Sequence, residues 1–548
     1  MKNVFLVGVL FFGWVTLQAQ QKVKKEPFTK PKLVVGIVVD QMRYDYLVRF
    51  WDKYGEDGFK RMINEGYNCK NNHFNYIPTK TAAGHASVYT GTTPKTHGII
   101  SNDWYDKVED RSVYCTEDAT VACLGTKTDA GKMSPRRMLA STMTDQLKLA
   151  TASKGKVIGI SLKDRGSILP AGHAADGAYW FQGEDEGHWI TSTYYMDKLP
   201  KWVERFNASN AAESYKKVWE PLYDLSTYTE SIEDDNDFEK TFSGEDRPTF
   251  PHDLPKLWEK NGEFNLLKGV PFGNSLTTDF AEAAIEGEDL GKDAITDFLA
   301  VSFSATDYVG HRFGVSAKET EDTYLRLDKD LARLLSFLDK KVGKGEYTVF
   351  LTADHAAVEV PSYLKSMEIP GGNFHKKEFL DPLNKFLKAT FGSDKLVKNF
   401  SNEQIFLDQE VIKSLGLSST EVENAIVTEI KDYKHIAEAY TGTAMRNQEF
   451  TQGMASSLQM GYNYKRSGDV LVVLEPGYIN SGSKKGTTHG TGYAYDTHTP
   501  LVFFGKGINH GETVKRTEIP DIANTICSLL GIAFPNGKSG EPIPEVID

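Results

Sequence analysis

Continuous apolar runs recur along this chain, each bounded by polar residues. The first covers residues 33–39, and comparable runs occupy residues 157–160, 298–303, 347–351, 470–474 and 501–504. Unbroken apolar runs of this length are typical of strands that are buried on both faces of a parallel sheet. The pattern therefore predicts a buried, mostly parallel central sheet.

Helical periodicity lies between some of these runs and is clearest after Gly314. Ser316 and Glu319 have the spacing of a capping box, which predicts that a helix begins there. The apolar positions that follow recur at helical spacing: Tyr324, Leu327, Leu331, Leu334, Leu335 and Leu338. Strands and helices in this order predict an α/β fold in which helices flank the central sheet.

Two segments break this rhythm, at about residues 175–275 and 365–465. The first is rich in aromatic and acidic residues, and the second is polar and mixed. We interpret both as accessory regions inserted into a single catalytic domain that covers residues 20–548. In open α/β sheets, ligand sites form beyond the carboxyl ends of the strands.

The amino terminus has the pattern of a secretory signal peptide. A short basic start precedes the apolar segment from Val4 to Leu17, and Ala19 occupies the position before a cleavage site. The apolar segment is shorter than the ~20 residues that span a bilayer. We therefore predict that residues 1–19 are removed and that the mature protein is periplasmic or secreted, with no stable membrane anchor. An uncleaved anchor is the alternative.

Charge and cysteine content restrict the partners and the covalent chemistry. The net charge of −12 gives no general attraction for nucleic acid, so an anionic ligand would have to be bound by local positive charge. Export makes disulfides possible among the four cysteines, whose three complete pairings the sequence does not distinguish. Cys115 and Cys123 are close in the chain and are the first candidate pair.

Ligand-type side chains follow three of the apolar runs. Asp40 comes directly after the first run, although an Asp at this place could also cap a helix. Asp354 and His355 follow the run at 347–351. Asp307 and His311 follow the run at 298–303, with a spacing of four that lets both side chains point one way on a helix.

His489 lies in a loop of glycine and threonine, where either a ligand role or a satisfied loop histidine is possible. Together with the residues at the strand ends it makes a set of three carboxylates and three imidazoles. Mixed carboxylate and imidazole ligation suits Zn²⁺.

Thr81 follows a Pro-Thr-Lys loop and precedes small residues that suit a helix start. A hydroxyl at a helix amino terminus lies where anions bind, but it is a weak nucleophile without a metal or a base. Read alone, Thr81 could equally be a helix cap. Asn102 lies in a polar turn, where its amide could donate to an anion or simply stabilise the turn.

Lys163 and Arg165 alternate just beyond the run at 157–160, so that both side chains could face one side. Arg offers a planar fork for phosphate oxygens and Lys a compact charge. An ordinary solvated pair is the alternative when these two residues are read alone.

Seven short motifs in this order resemble the alkaline phosphatase superfamily, in the branch with a threonine nucleophile. The pattern is most similar to the monomeric, phosphate-irrepressible alkaline phosphatases of bacteria, from about residue 32 to the carboxyl terminus. The motifs are Val39-Asp40, Pro78-Thr79-Lys80-Thr81, Ser101-Asn102-Asp103-Trp104, Lys163-Asp164-Arg165, Asp307-Tyr308-Val309-Gly310-His311, Ala353-Asp354-His355 and Thr488-His489-Gly490.

The resemblance implies a role for each of these residues. One zinc would be bound by Asp307, His311 and His489. The other would be bound by Asp40, Asp354 and His355, with Thr81 bridging to it as the nucleophile. Asn102, Lys163 and Arg165 would hold the phosphoryl oxygens.

The expected protein is thus a monomeric two-zinc phosphate monoester hydrolase that forms a phospho-threonine and acts on small molecules. Nucleotide pyrophosphatase/phosphodiesterase activity is the main alternative. Lys163 and Arg165 favour the monoesterase, because they would neutralise the extra charge of a monoester dianion.

Overall fold

A computed structural model describes residues 29–547, so the predicted signal peptide lies outside the described residues. Its strands are β1 (Leu33–Val39), β2 (Tyr67–His73), β3 (Asp103–Asp106), β4 (Arg111–Tyr114), β5 (Cys123–Leu124), β6 (Val157–Ser161), β7 (Gly177–Gln182), β8 (His188–Ser192), β9 (Val218–Trp219), β10 (His252–Asp253), β11 (Asp297–Phe303), β12 (Tyr347–Thr352), β13 (Gly372–Phe374), β14 (Val397–Ser401), β15 (Gln404–Leu407), β16 (Ile436–Thr441), β17 (Val470–Leu474), β18 (Tyr478–Asn480), β19 (His498–Thr499), β20 (Leu501–Gly505) and β21 (Gly511–Glu518).

Helices occupy most of the connections between these strands. They are α1 (Asp45–Arg49), α2 (Phe59–Glu65), α3 (Thr81–Thr90), α4 (Pro94–His97), α5 (Met143–Ala150), α6 (Asp164–Ala171), α7 (Lys201–Ala208), α8 (Leu254–Leu257), α9 (Phe272–Gly287), α10 (Ala305–Phe313), α11 (Lys318–Leu338), α12 (Pro361–Ser366), α13 (Lys376–Phe391), α14 (Gln409–Ser414), α15 (Ser419–Ile430), α16 (Gly442–Asn447), α17 (Gly453–Gly461), α18 (Ala494–Thr497) and α19 (Asp521–Leu530). Between residues 29 and 547, no helix combines the length and the apolar character needed to cross a membrane.

The central sheet has eleven strands and confirms the predicted α/β architecture. Its order is β19-β2-β20-β12-β1-β11-β6-β7-β8-β5, and β21 pairs with β2. The five strands in the middle, from β12 to β7, run parallel to their neighbours, whereas the outer strand pairs are mostly antiparallel. Every residue of β1 and β11 is buried, as expected for strands covered on both faces.

A second sheet has four strands in the order β14-β15-β17-β16. Three of them lie in the predicted accessory region at about 365–465, and β17 lies just beyond its predicted end. It packs with α13 and α15 around its own hydrophobic cluster, which includes Phe379, Leu383, Ile405 and Val470. The apolar run at 470–474 therefore forms a strand of this accessory sheet and not of the central one. An apolar run is compatible with either sheet, because both offer a buried face.

The long helix α11 begins one residue later than the capping box predicts, because its N-cap is Ala317 and not Ser316. Its first residue is Lys318, and no side chain caps it. Ser316 instead donates a hydrogen bond to Glu359 (2.6 Å), and Glu319 is buried beside His252, with Oε1 3.3 Å from Nε2. The capping prediction was wrong because tertiary partners take both side chains.

The cysteines form no disulfide. Cys69, Cys115, Cys123 and Cys527 are all free thiols. Cys115 is buried in a cluster with Trp104, whereas Cys123 lies partly exposed against Gly131, so the proposed Cys115–Cys123 pair is wrong. Between them the chain turns and forms a bridge from Glu117 to Met133, and the two side chains pack against different neighbours.

Candidate active site

The carboxyl ends of three neighbouring parallel strands bring the predicted carboxylates together. Asp40 follows β1, Asp307 lies in the first turn of α10 after β11, and Asp354 follows β12. The Asp40 amide donates to the Phe303 carbonyl (3.0 Å), which continues the pairing of β1 with β11 beyond the strands. All three aspartates are buried.

The three predicted histidines have a common orientation. The Nδ1–H of each donates to a main-chain carbonyl: His311 to Thr487 (2.8 Å), His355 to Ala356 (3.0 Å) and His489 to Thr79 (2.7 Å). Since a carbonyl only accepts, each Nδ1 must carry the proton and each Nε2 keeps its lone pair. Anchoring of this kind is how proteins fix the tautomer and orientation of metal-binding imidazoles.

The Nε2 atoms point at the carboxylates. His311 Nε2 lies 3.1 Å and His489 Nε2 3.9 Å from Asp307 Oδ1. His355 Nε2 lies 3.5 Å from Asp40 Oδ1 and 3.5 Å from Asp354 Oδ2. Ligand atoms of two groups come within 4.8 Å of one another: Asp307, His311 and His489, and Asp40, Asp307 and His355.

Asp354 stands slightly apart from the second group. Its Oδ1 accepts the main-chain N–H of Gln41 (3.1 Å), and its Oδ2 lies 3.3 Å from His85 Nδ1. The structure thus brings all six predicted ligands to one place, with Asp307 shared between the compact groups and Asp354 at the edge of the second.

The electrostatics of the carboxylates call for more positive charge than the protein supplies. Burial and the neighbouring Asp354 raise the pKa of Asp40 well above its usual range, and Asp40 Oδ1 accepts no hydrogen bond from the described residues. Burial opposes ionisation of Asp354 too, but His355 and His85 lower its pKa to about 2. Buried carboxylates in such numbers are stable only when paired or bound to a cation.

Two of the three imidazoles, those of His355 and His489, are held in the neutral form that binds metals. Burial lowers the pKa of His355 to about 4 and that of His489 well below its ordinary value. Burial raises the pKa of the Asp307 carboxyl group. His311 and Lys163 outweigh burial and hold that pKa well below the usual range. Neutral imidazoles beside an ionised carboxylate match the ligand chemistry of zinc.

Thr81 is the first residue of α3, and its neighbour Lys80 is the N-cap, so the hydroxyl is not used as a cap. Thr81 Oγ1 faces His355 Nε2 at 3.4 Å. A Cβ on Gly84 would lie only 2.1 Å from the carbonyl oxygen of Asp354. Glycine at this place therefore lets α3 approach the end of β12, which places Thr81 beside the carboxylates.

Lys163 lies between the two ligand groups. Its ammonium donates to Asp40 Oδ2 and Asp307 Oδ2, both at 2.6 Å, and stands 4.8 Å from the ring centroid of Tyr308. Burial opposes its charge, but Asp307 and Asp40 raise its pKa. In this arrangement a single ammonium contacts two of the three buried carboxylates.

Arg165 is in the first turn of α6, which begins at Asp164. Its Nη1 donates to the Tyr114 hydroxyl (2.9 Å), and that hydroxyl donates to Asp164 Oδ1 (2.9 Å). Thr116 also donates to Asp164. The guanidinium is therefore oriented by a hydrogen-bonded chain that leaves its other N–H groups available.

Asn102 lies between α4 and β3 and is partly exposed. Its Oδ1 accepts the main-chain N–H of Ala82 at the start of α3 (2.8 Å), and its carbonyl accepts the N–H of Cys115 (2.9 Å). Because the carbonyl end of the amide accepts a hydrogen bond from the start of α3, the NH₂ end is left to donate to a ligand.

Three residues near the site escaped the sequence reasoning. Gln41 donates to Asp307 Oδ1 (2.6 Å), Tyr114 orients Arg165, and Lys80 donates to the His489 carbonyl (2.8 Å). Gln41 and Lys80 adjoin the predicted residues Asp40 and Thr81, so their positions offered a signal. Tyr114 offered none, since its role depends on a contact 51 residues along the chain.

Comparison with known proteins gives a consistent result. Residues 34–499 match the family described as type I phosphodiesterase/nucleotide pyrophosphatase. A Myroides odoratus protein named calcium-transporting ATPase is 48% identical over 98% of this chain and 97% of its own length. Alkaline phosphatase PafA of Elizabethkingia meningoseptica is 46% identical over 99% of this chain and 98% of its own length.

A solved structure agrees over the same length. The crystal structure of wild-type alkaline phosphatase PafA matches with a TM-score of 0.92 and 46% identity, covering 95% of this chain and all of that one. The chain therefore belongs to the type I phosphodiesterase/nucleotide pyrophosphatase family, within the alkaline phosphatase superfamily that its motifs predicted, and 99% of it aligns with an alkaline phosphatase.

Proposed function

We propose that this protein is a two-zinc phosphate monoester hydrolase that works through a phosphorylated Thr81. The observation that carries the proposal is the common orientation of His311, His355 and His489, whose Nε2 atoms all point at buried aspartates. The name of its close relative, alkaline phosphatase PafA, supports the same activity.

The residues fit two zinc ions. Asp307, His311 and His489 would hold one, and Asp40, Asp354 and His355 the other. The unpartnered Asp40 Oδ1 and the excess of carboxylates over ammonium groups support cation binding here. Bound zinc would supply positive charge and Lewis acidity at Thr81 and at the departing oxygen.

The remaining steps of the proposed reaction use the protein's own side chains. The Thr81 hydroxyl loses its proton as its oxygen attacks phosphorus, and a Thr81 Oγ–P bond forms. The bond from phosphorus to the alcohol oxygen breaks, and that oxygen takes up a proton and leaves as the alcohol. The Asn102 amide and the Arg165 guanidinium bind the non-bridging oxygens and orient the phosphoryl group in line with Thr81. Water then cleaves the phospho-threonine and releases inorganic phosphate.

Lys163 and Arg165 are the residues that favour a monoester over a diester. A monoester is a dianion whose extra charge these groups would stabilise, whereas a diester carries an organic substituent in its place. We expect K163A and R165A to lower monoesterase kcat/KM by roughly 100-fold or more, with a much smaller effect on any diesterase activity. Matched aryl monoester and diester substrates measure this, and equal losses on both would favour a phosphodiesterase.

The nucleophile and the metals can be tested directly. Acid quench during turnover of a radiolabelled aryl phosphate should leave label on Thr81, and T81S should retain more activity than T81A. Elemental analysis should find two zinc ions per chain, and a chelator should abolish turnover until zinc is restored. Another metal, a single ion, or a T81A enzyme with full activity would contradict the assignment.

We also propose that the protein is exported, that residues 20–548 form one catalytic domain, and that the enzyme is a monomer acting on small phosphomonoesters. Mass spectrometry of the protein from cell fractions should find an amino terminus at Gln20 in the periplasm or medium. Sedimentation at enzyme concentrations used in assays should give the mass of one chain.

A further inference from the structure

A hairpin of the accessory sheet reaches the loop that carries Asn102. The hairpin joins β14 to β15 through Asn402 and Glu403, which have φ values of 53° and 55°. Two successive residues of positive φ make the tight turn that matches strand twist, and asparagine adopts this conformation more readily than most residues. The tip of the hairpin is thereby fixed in shape.

The side chain of Asn402 bonds the Asn102 loop on both sides. Its Oδ1 accepts the Ser101 hydroxyl (2.8 Å), and its Nδ2 donates to the Asp103 carbonyl (2.8 Å). One amide thus holds the two residues that flank Asn102, about 300 positions away in the chain.

Other contacts press the same segment against the accessory sheet. The ring of Tyr105 packs edge-on against Phe406 with centroids 5.4 Å apart, and Lys107 forms an ion pair with Asp469 (2.9 Å). Asn402 differs from these contacts because it acts immediately beside Asn102. On the opposite side Asn102 is tied to Ala82, next to Thr81.

We propose that Asn402 is a positioning residue that sets the Asn102 amide for contact with the phosphoryl group. The inference rests on the proposed role of Asn102. It gives the accessory sheet a part in the reaction through the Asn102 loop. Because a misplacement of about 1 Å can cost on the order of 100-fold in rate, a lost anchor should be visible in kinetics.

The test is a double-mutant cycle between Asn402 and Asn102. N402G removes the amide and keeps the turn, because glycine accepts positive φ freely. We expect N402G to lower kcat/KM for an aryl phosphate by about 10-fold in the wild-type background and by less than about twofold in the N102A background. Zinc content and the free energy of unfolding should stay close to those of the wild type.

A control and a second variant complete the design. E403G changes the other residue of the same turn, whose Oε1 contacts Asn480 (3.1 Å) and not the Asn102 loop, so it should leave kcat/KM unchanged. S101A removes the hydrogen bond from Ser101 to Asn402, one of the two that hold the loop. It should give a smaller loss of kcat/KM, and that loss should also vanish in the N102A background. If N402G proves unstable, S101A tests the inference about Asn402 in its place.

The outcomes separate the two proposals. If N102A itself has full activity, the proposed role of Asn102 fails. If N102A is impaired but N402G and S101A are not, or if their losses persist undiminished in N102A, the inference about Asn402 fails alone.

Discussion

The region at 175–275 and the region at 365–465 interrupt the strand–helix pattern in a similar way, yet their apolar side chains are buried in different places. In the first region, Trp202, Trp219 and Tyr228 belong to the hydrophobic cluster that covers one face of the central sheet. Phe379 and Leu383 of the second belong to a separate cluster around the accessory sheet.

The two regions also support the active site differently. The first region contacts the helix that carries a metal-ligand candidate. The Lys240 N–H donates to the carbonyl of Arg312 (3.0 Å), the residue after His311. The second reaches the loop that carries Asn102 through the side chain of Asn402. The first accessory region thus shares the hydrophobic core of the central sheet, whereas the second has a core of its own and contacts the Asn102 loop from it.

The largest effect should come from the shared cluster. Trp219 is fully buried, and its Nε1 donates to Asp322 Oδ2 (2.7 Å). We expect W219A to lower the free energy of unfolding by roughly 3–5 kcal/mol and to destabilise the central sheet with it. Denaturant unfolding measures this change in free energy. If hydrogen exchange in W219A showed unchanged protection of β1 and β11, the first region would not share the stability of the central sheet.

A matched change in the separate cluster should act locally. Leu383 is fully buried on α13, and L383A should cost roughly 2–5 kcal/mol within the accessory sheet. Amide exchange should rise in α13 and β14–β17 while β1 and β11 stay protected. Activity should fall no further than in N102A. Exchange that rises equally in both sheets would show that the clusters unfold together.

The pH dependence of stability should depend on a buried histidine of the first region. His252 Nδ1 lies 2.7 Å from Glu245 and Nε2 3.3 Å from Glu319. Burial opposes its charge, but these carboxylates raise the pKa of His252 to about 9. Its stabilisation is complete below the unfolded pKa of about 6.5 and disappears as the pH rises through 9, a loss of up to about 3 kcal/mol.

Other acids of this cluster act in the same direction. Burial and Glu319 raise the pKa of Glu239 to about 10, so its contribution also falls with rising pH. We expect H252Q to flatten the decline in melting temperature between pH 6.5 and 9. H435Q replaces a partly exposed histidine beside Glu475 and is the matched control for loss of a histidine outside this cluster. A wild-type slope in H252Q would contradict this assignment.

The smallest effect should come from the ion pair between Lys107 and Asp469. Lys107 is 28% exposed, so screening by water limits the pair to about 1 kcal/mol or less. K107A should therefore change stability and kcat/KM only slightly, and the change should shrink further at high salt. If K107A lowered kcat/KM as much as N402G, this ion pair would matter for the reaction as much as the hairpin tip.

Sequence reasoning reached the parts of the molecule that depend on local patterns. The parallel strands could be predicted because burial on both faces leaves an unbroken apolar run. Asp40, Asp307 and Asp354 could be singled out because each follows such a run, where the carboxyl ends of parallel strands meet. The resemblance then supplied roles that no single residue type specifies.

The remaining features depend on contacts between distant segments. Nothing near Tyr114 or Asn402 in the chain indicates that one would hold Arg165 and the other would flank Asn102. Glu319 has the local pattern of a cap, but a histidine from another segment takes its side chain. The run at 470–474 has the composition of a central strand, and only its partners assign it to the accessory sheet.

The free thiols have a practical consequence for experiments. Burial raises the pKa of Cys69 and Cys527 to about 12, and Cys115 is buried as well, so these three should react slowly with alkylating reagents. Cys123 alone is partly exposed. A maleimide dye should therefore label the folded enzyme at one position on the β5–β8 edge, without any engineered cysteine, and the protein should tolerate reductant during purification.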